Sequence, residues 1–184
     1  MALFPFNHIV FAPIIIVQLF MINPIVIVDF NINSNLSKWT VLDDVVMGGQ
    51  SLSSIYVNEE GHGVFKGHVS LENNGGFSSV RYQMNTVSVS GYSKCVIRLK
   101  GDGKNYQFRI KSKEEDYYSY IVKFNTNGEW QTLEIKMEEM TPWFRGRRLD
   151  MPNYPHITME SISFLIGNKK EEDFKLEIDR IEVR

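Results

Sequence analysis

Apolar and polar side chains alternate along much of the chain after residue 30, and this period of two constrains the fold more than any other sequence feature. Cys95, Ile97 and Leu99, for example, share one face of a run whose other face carries basic residues. Such alternation is typical of half-buried antiparallel strands, because successive side chains point to opposite faces of a sheet. The pattern occurs in the runs 94–100, 106–111, 118–125, 132–137 and 174–178.

Short stretches rich in Gly and Asn separate these predicted strands. One of them, 101–103, is best interpreted as a hairpin or loop turn rather than a nucleotide-binding loop. Ile181 and Val183 fall out of step with the face of 174–178, which predicts a bulge at 179–180. Many short strands at this spacing, with no long amphipathic helix, predict an all-β fold: a β-sandwich of jelly-roll type.

The first 28 residues contain no Asp, Glu, Lys or Arg, and this break is the clearest boundary in the chain. We expect an uncharged apolar extension at 1–22 and a single β-sandwich domain at 23–184. The extension has three interpretations: an upstream segment that precedes a natural start at Met21, a signal or membrane anchor of poor quality, or an integral strand. The expected localisation is cytoplasmic, with membrane association only through residues 1–22 or through a client, and with secretion as the alternative.

Composition narrows the functional classes. A net charge of −2 over 184 residues argues against a nucleic-acid partner. The single cysteine, Cys95, rules out an internal disulfide and a multi-cysteine metal site, and its inward position predicts a small buried side chain. We therefore expect no metal and no cofactor. The four histidines lie without metal-ligand spacing, at His8, His62, His68 and His156.

No catalytic motif is found in the sequence. It lacks a P-loop, a His-Glu-x-x-His helix motif and a Gly-x-Ser-x-Gly nucleophile elbow. The sequence therefore predicts a protein that is not an enzyme. The remaining catalytic alternative uses paired carboxylates such as Asp44 and Glu72.

Two loops combine polar side chains with paired glycines, at 43–51 and 72–81. Paired glycines allow positive φ or the close approach of another chain, and Asn side chains cap turns. One interpretation is that both loops merely close an end of the sandwich. The other is that they meet and bind a polar ligand or a partner's backbone, with Arg81 held by an acid of either loop. The residues that would converge are Asp44, Glu72, Asn73, Asn74 and Arg81.

A third loop, 142–148, places arginines beside aromatic side chains. Trp143, Arg145 and Arg147 offer bidentate donors and rigid contact area, the composition enriched at binding hot spots. The alternative is an arginine stacked on Trp143 and paired with an acid. Of the three tryptophans, Trp39, Trp130 and Trp143, we expect at least two in the core.

Five motifs together resemble the complex I intermediate-associated protein 30 family in order and spacing from Phe30 to Val183. They lie at 44–51, 65–81, 101–106, 144–147 and 176–181. One departure is Asp43, where the family often has Asn. The candidate binding residues are then Asp44, Met47, Glu72, Asn73, Asn74, Arg81, Asp102, Trp143, Arg145 and Arg147.

The resemblance implies a galactose-binding-domain-like jelly roll. It also implies a non-enzymatic assembly factor or chaperone, which in mitochondrial relatives concerns the membrane arm of respiratory complex I. Because the chain lacks an arginine-bearing presequence, we expect a short bacterial-type member of the family. Its expected partner is a protein client, such as a subunit of a membrane complex. The alternative function is a carbohydrate- or small-ligand-binding module.

Overall fold

The computed structural model describes residues 23–184 as thirteen strands and three short 3₁₀ helices, and no α-helix occurs within that range. All strand pairs are antiparallel. The 3₁₀ helices are Asp44–Met47, Glu72–Asn74 and Met137–Glu139. The strands are β1 (Ile25–Asp29), β2 (Trp39–Asp43), β3 (Leu52–Val57), β4 (Gly63–Val69), β5 (Ser78–Ser88), β6 (Lys94–Lys100), β7 (Asn105–Lys111), β8 (Ser119–Asn125), β9 (Trp130–Lys136), β10 (Thr141–Phe144), β11 (Arg147–Arg148), β12 (Thr158–Ile166) and β13 (Glu172–Val183).

The strands form two sheets that face each other, which confirms the predicted all-β sandwich. The seven-stranded sheet, here called the front sheet, has the order β11-β10-β8-β7-β12-β5-β2. The six-stranded sheet, here called the back sheet, has the order β3-β4-β13-β6-β9, and β1 also pairs with β13. The Gly101–Gly103 turn joins β6 of the back sheet to β7 of the front sheet, so it is a crossover loop and not a hairpin.

The core lies between the sheets and contains the apolar side chains that the alternation predicts. Tyr106, Phe108 and Ile110 of β7 are fully buried, and the Phe108 ring lies 5.3 Å from that of Phe164 on β12. Cys95 is also buried, and burial raises the pKa of its thiol to about 12, so it is a packing residue. Such a core provides most of the folding free energy of a domain this size.

Two details of the pattern are informative. The register between β13 and β6 shifts between Ile178 and Arg180, which confirms the predicted bulge. Met137, which the alternation assigned to a strand, instead begins a 3₁₀ helix, although its side chain is buried. The chain turns there because β9 ends at Lys136 and the next strand belongs to the other sheet.

The prediction that at least two tryptophans are core residues is wrong. Only Trp39 is buried, stacked on Phe30 at 5.4 Å. Trp130 and Trp143 are partly exposed, on opposite sheets. Each of the two exposed rings is covered by a cation, as described below.

The proposed 1–22 extension lies outside the described residues, and the division at residue 23 stays a prediction. Along residues 23–184, no helix has the length and apolar character needed to span a membrane.

Candidate functional site

The outward face of the front sheet forms a continuous surface of side chains in register. Residues paired across antiparallel strands share a face. Arg81 of β5 pairs with Ser163 of β12, which pairs with Arg109 of β7. Arg109 pairs with Ile121 of β8, which pairs with Thr141 of β10. This row crosses five neighbouring strands and places the Arg109 guanidinium near the middle of the sheet.

A groove of about 530 Å³ runs over this face. Ile121 and Leu165 lie on its floor and are only 8% and 7% exposed, although neither belongs to the core between the sheets. Loops on both sides cover them, which explains how outward-facing apolar residues become buried. The lining residues are Met47, Gly76, Phe77, Arg109, Ile121, Trp143, Arg145, Gly146, Leu165 and Gly167.

The hairpin of β10 and β11 forms one wall of the groove. The Trp143 indole nitrogen donates to Thr141 Oγ1 at 2.7 Å, and the Lys123 ammonium lies 5.5 Å from the centre of the indole. The Arg145 guanidinium lies 5.2 Å from the centre of the Phe144 ring. An arginine stacked on Trp143, one of the two sequence interpretations, is therefore not observed: a lysine takes that position.

The opposite wall is held together by the buried carboxylate of Asp44. Asp44 Oδ1 accepts from the backbone N–H of Ser51 at 2.9 Å, and Oδ2 accepts from the Ser51 hydroxyl at 2.5 Å. Oδ2 also accepts from the backbone N–H groups of Gly76 at 2.6 Å and Phe77 at 3.2 Å. Asp44 thus ties the loop at 43–51 to the loop at 72–81, and the two loops meet as the sequence predicts.

The position of the Asp44 carboxylate explains why one residue of each glycine pair has no room for a side chain. A Cβ built on Gly75 would lie 2.5 Å from Asp44 Oδ2, and one on Gly49 would overlap Asp44 Oδ1. Burial by itself raises the pKa of Asp44, but the hydrogen bonds from Ser51, Gly76 and Phe77 outweigh burial, so its pKa lies below the ordinary value. Asp44 is therefore an ionised structural anchor of the wall.

The adjoining 3₁₀ helix exposes three consecutive apolar side chains at the groove's edge. Val45, Val46 and Met47 are 59%, 75% and 62% exposed. Met47 also lines the groove. Contiguous exposed apolar residues of this kind mark interaction surfaces in folded proteins. We call this segment, 45–47, the apolar rim.

Arg81 is held differently from the prediction. Its Nη1 donates to Glu114 Oε1 at 2.6 Å, not to Asp44 or Glu72. Asp44 has its oxygens occupied by four donors, and Glu72 is exposed. For the same reason the suggested Asp44–Glu72 catalytic pair gains no support, because a catalytic carboxylate needs a free oxygen that reaches substrate.

The other predicted binding residues lie around the groove or away from it. Asn73 and Asn74 are exposed, with positive φ of 54° and 62°, on the loop that continues to Gly76. Arg147 is exposed on β11, in register with Phe144. Asp102 does not line the groove. It accepts from Lys104 Nζ at 2.7 Å, Tyr106 Oη at 2.9 Å and the Lys175 N–H at 2.9 Å, which makes it a link between the sheets.

Sequence reasoning missed the four lining residues that lie outside the loops it had singled out, which are Arg109, Ile121, Leu165 and Gly167. A usable signal was present for Ile121, which interrupts the polar face of the run 118–125 with an apolar side chain. Leu165 stands likewise between two inward-facing residues. Apolar residues on the polar face of a strand indicate that something covers that face.

One cluster with metal-ligating atoms lies outside the groove. Atoms of Glu60, His62 and Glu177 lie within 4.8 Å of one another. Glu177 is already engaged, because Lys175 Nζ is 2.7 Å from Oε1 and Asn58 Nδ2 donates to Oε2 at 3.2 Å. The lysine ammonium supplies the positive charge that a metal ion would otherwise bring, so the cluster is explained without a metal.

The two-sheet antiparallel sandwich has the same fold as galactose-binding-like carbohydrate-binding modules. The fold is similar to a family 11 carbohydrate-binding module from a cellulosomal cellulase of Clostridium thermocellum (TM-score 0.65, 15% identity, 89% of this chain and 95% of that one). The same module in complex with a β-1,3-1,4-mixed-linked tetrasaccharide is similar at TM-score 0.62, with 16% identity over 86% and 93% of the two chains. A family 29 carbohydrate-binding module matches at TM-score 0.54, with 11% identity over 89% and 92%.

The sequence itself identifies the family. The sequence pattern that defines complex I intermediate-associated protein 30 matches residues 28–178. The chain belongs to the complex I intermediate-associated protein 30 family, as its motifs indicate.

Proposed function

We propose that this protein is a non-enzymatic assembly factor that holds an apolar segment of an unassembled client protein in the groove. The single observation that carries this proposal is the continuity of exposed and buried apolar surface. The apolar rim (45–47) is exposed beside a floor formed by Ile121 and Leu165. A soluble domain gains nothing in stability from three exposed apolar residues in a row.

Burial of the rim against a client would contribute substantially to affinity. Covering a Val or Met side chain contributes about 1.5–3 kcal/mol relative to leaving it in water. Trp143 and Arg145 on the opposite wall add the residue types that dominate binding hot spots. A segment seated between the two walls would therefore contact hydrophobic groups on one side and an aromatic–arginine pair on the other.

The family name supports a client that is a subunit of respiratory complex I or of a comparable membrane complex. Subunits of such complexes bury apolar segments against one another once assembled, and those segments need cover beforehand. Stoichiometric cover requires no turnover, which agrees with a site that offers no free nucleophile among its described lining residues.

The experiment replaces both hot-spot side chains of the hairpin. In the double variant Trp143→Ala/Arg145→Ala we expect capture of the client to be lost when the tagged protein is cross-linked in its native host. The melting temperature should shift by no more than about 4 °C, because both side chains are partly exposed and lie outside the core.

The chain offers a matched control on the back sheet. The Arg98 guanidinium lies 5.1 Å from the centre of the Trp130 ring, and Trp130→Ala/Arg98→Ala removes the same two residue types from the other side of the sandwich. This variant should capture the client like the wild type. Equal loss in both variants would count against the groove, and undiminished capture by the Trp143→Ala/Arg145→Ala protein would refute the proposed role of the hairpin.

A second candidate function is a carbohydrate-binding groove. It is favoured by the partly exposed Trp143 indole in the wall, since aromatic faces stack on sugar rings, and by the fold that the chain shares with modules of that class. Calorimetry with a β-1,3-1,4-linked tetrasaccharide distinguishes the two: saturable binding that disappears in Trp143→Ala would favour the carbohydrate module over the protein client.

A further inference from the structure

We infer that the client segment carries a carboxylate, which the Arg109 guanidinium binds at the floor of the groove. This inference rests on the proposed function, and it specifies the chemistry of the partner. It means that the groove takes an extended, mostly apolar peptide with one acidic side chain in a fixed position.

Arg109 is unusual among the arginines of this protein. Arg81, Arg98, Arg180 and Arg184 each have a side-chain carboxylate within 3.1 Å. Arg109 has none within 4.0 Å across residues 23–184, although it lies in the middle of a sheet. The remaining arginines, Arg145, Arg147 and Arg148, belong to the exposed hairpin.

The partner that Arg109 does have is neutral. Its Nε and Nη2 donate to Gln107 Oε1 at 3.2 and 2.7 Å. A guanidinium carries five N–H donors in a planar fork, so these bonds leave three donors without a partner among the described residues. Gln107 fixes the orientation of the guanidinium without neutralising its positive charge. That charge therefore stays available to bind an anion.

The charge around the groove agrees with an anionic group on the ligand. Two of the lining residues, Arg109 and Arg145, are cations, and none of the described residues that line it is Asp or Glu. Burial and the nearby Arg81 lower the pKa of Arg109 to about 10, which means that its charge is poorly compensated in the free protein. A carboxylate would relieve this, since charge-assisted bidentate bonds are among the strongest that arginine makes.

The apolar floor and the unpaired Arg109 guanidinium together define what a peptide needs in order to fit the groove. Ile121 is in register with Arg109 on the neighbouring strand, so an apolar side chain and an acidic one of the same peptide would rest side by side. An apolar groove alone accepts many segments, whereas a buried charge rejects a segment that cannot pair with it. Arg109 would therefore set the register of the client in the groove.

The experiment is a selection from a random twelve-residue peptide library displayed on ribosomes, with the whole chain immobilised. Peptides that bind the wild-type protein, and fail to bind Trp143→Ala, should show Asp or Glu at one position beside Leu, Ile, Phe or Trp. The same selection on Arg109→Gln should keep the apolar preference and lose the acidic one. Arg98→Gln, which removes an arginine from the back sheet, should select acidic peptides as the wild type does.

Calorimetry on one selected peptide and its Glu→Gln or Asp→Asn twin gives the second measurement, and its first comparison uses the wild-type protein alone. The amide twin should bind the wild type about 10- to 100-fold more weakly, in line with loss of a charge-assisted hydrogen bond. With Arg109→Gln the two peptides should differ by less than about 3-fold.

The outcomes separate this inference from the proposed function. Apolar, Trp143-dependent peptides without an acidic position would overturn the inference and support the proposed function. If no Trp143-dependent peptide emerges, both are overturned. The wild-type protein could instead bind polygalacturonate and no peptide, with the polygalacturonate binding lost in Arg109→Gln. The ligand would then be an acidic polysaccharide, and the inference as stated would be overturned.

Discussion

Asp44 shows how much of this site one side chain determines. Its carboxylate accepts hydrogen bonds from Ser51, Gly76 and Phe77, and its position excludes a Cβ at residues 49 and 75. Two glycine-rich motifs that are separate in the sequence therefore form one structural unit around the Asp44 carboxylate. Its consequence for function is indirect: Asp44 holds the apolar rim and the Gly76–Phe77 segment in place without contacting a ligand itself.

Replacing Asp44 by Asn should destabilise the protein by about 3 kcal/mol at pH 7, because an amide NH₂ would face backbone N–H donors in a buried site. The folded-state pKa of Asp44 is lowered, so its contribution is fully present above the unfolded value near 4 and is lost as the pH falls through the lowered pKa. Urea unfolding between pH 7 and 2 should show a shallower acid decline for Asp44→Asn than for the wild type. Parallel pH profiles would contradict this account of Asp44.

At the scale of residues, the sequence predicted which loops lie close together better than it predicted which side chains pair. The meeting of the two loops followed from their shared composition. The partner of Arg81 did not, because Glu114 lies 33 positions away on a loop beyond β7, and its reach depends on the register of three strands. Arg109 was missed because a basic residue on the polar face of a strand is ordinary until its lack of a counter-ion is visible in three dimensions.

At the scale of elements, the groove is a product of loops placed on a regular sheet. The β10–β11 hairpin and the two joined loops form the walls, whereas β7, β8 and β12 supply the floor. The strands of the floor are held by ladder hydrogen bonds on both sides, so the floor is the rigid part of the site. Changes in the loops should therefore alter binding before they alter the fold.

Gly75→Ala tests the packing of the wall. Its Cβ would press on the Asp44 carboxylate at 2.5 Å, and we expect a loss of about 3 kcal/mol in the free energy of unfolding together with weaker client capture. Gly128→Ala is the control, since Gly128 has positive φ but open space around its Cβ position. It should be destabilised by about 1 kcal/mol, from backbone strain alone, and should capture the client normally.

Equal losses in the two glycine variants, measured by urea unfolding, would mean that the loop yields to the added methyl group and that Asp44 is not confined as described.

The strands themselves were the most predictable elements. Alternation identified the inward faces of β6, β7 and β13 and the bulge between Ile178 and Arg180. It could not reveal that the 101–103 turn crosses between sheets, because a turn of this length fits a hairpin equally well. Ile121 carried a signal that only the groove explains, as an apolar side chain on a polar face.

For the whole molecule, the boundary at residue 23 remains a prediction that deletion can test. A protein that begins at residue 23 retains β1 and its pairing with β13. It should show β-type far-ultraviolet circular dichroism and a cooperative melt within about 4 °C of the full chain, because the core side chains described here all follow residue 23. Loss of cooperative folding would show that residues 1–22 contribute an integral part of the domain.

The position of β13 in the back sheet affects when the protein can fold during its synthesis. β13 occupies the middle of the back sheet, with β4 and β1 on one side and β6 on the other. Without it the back sheet is reduced to two separate pairs, β3 with β4 and β6 with β9. A nascent chain on the ribosome therefore cannot complete its back sheet until β13 has left the exit tunnel, and until then the two pairs are not joined. Folding that waits for contacts between the first and last described strands is slow by its topology. If the protein shields unfinished subunits as proposed, it passes through an interval in which its own apolar surface is exposed.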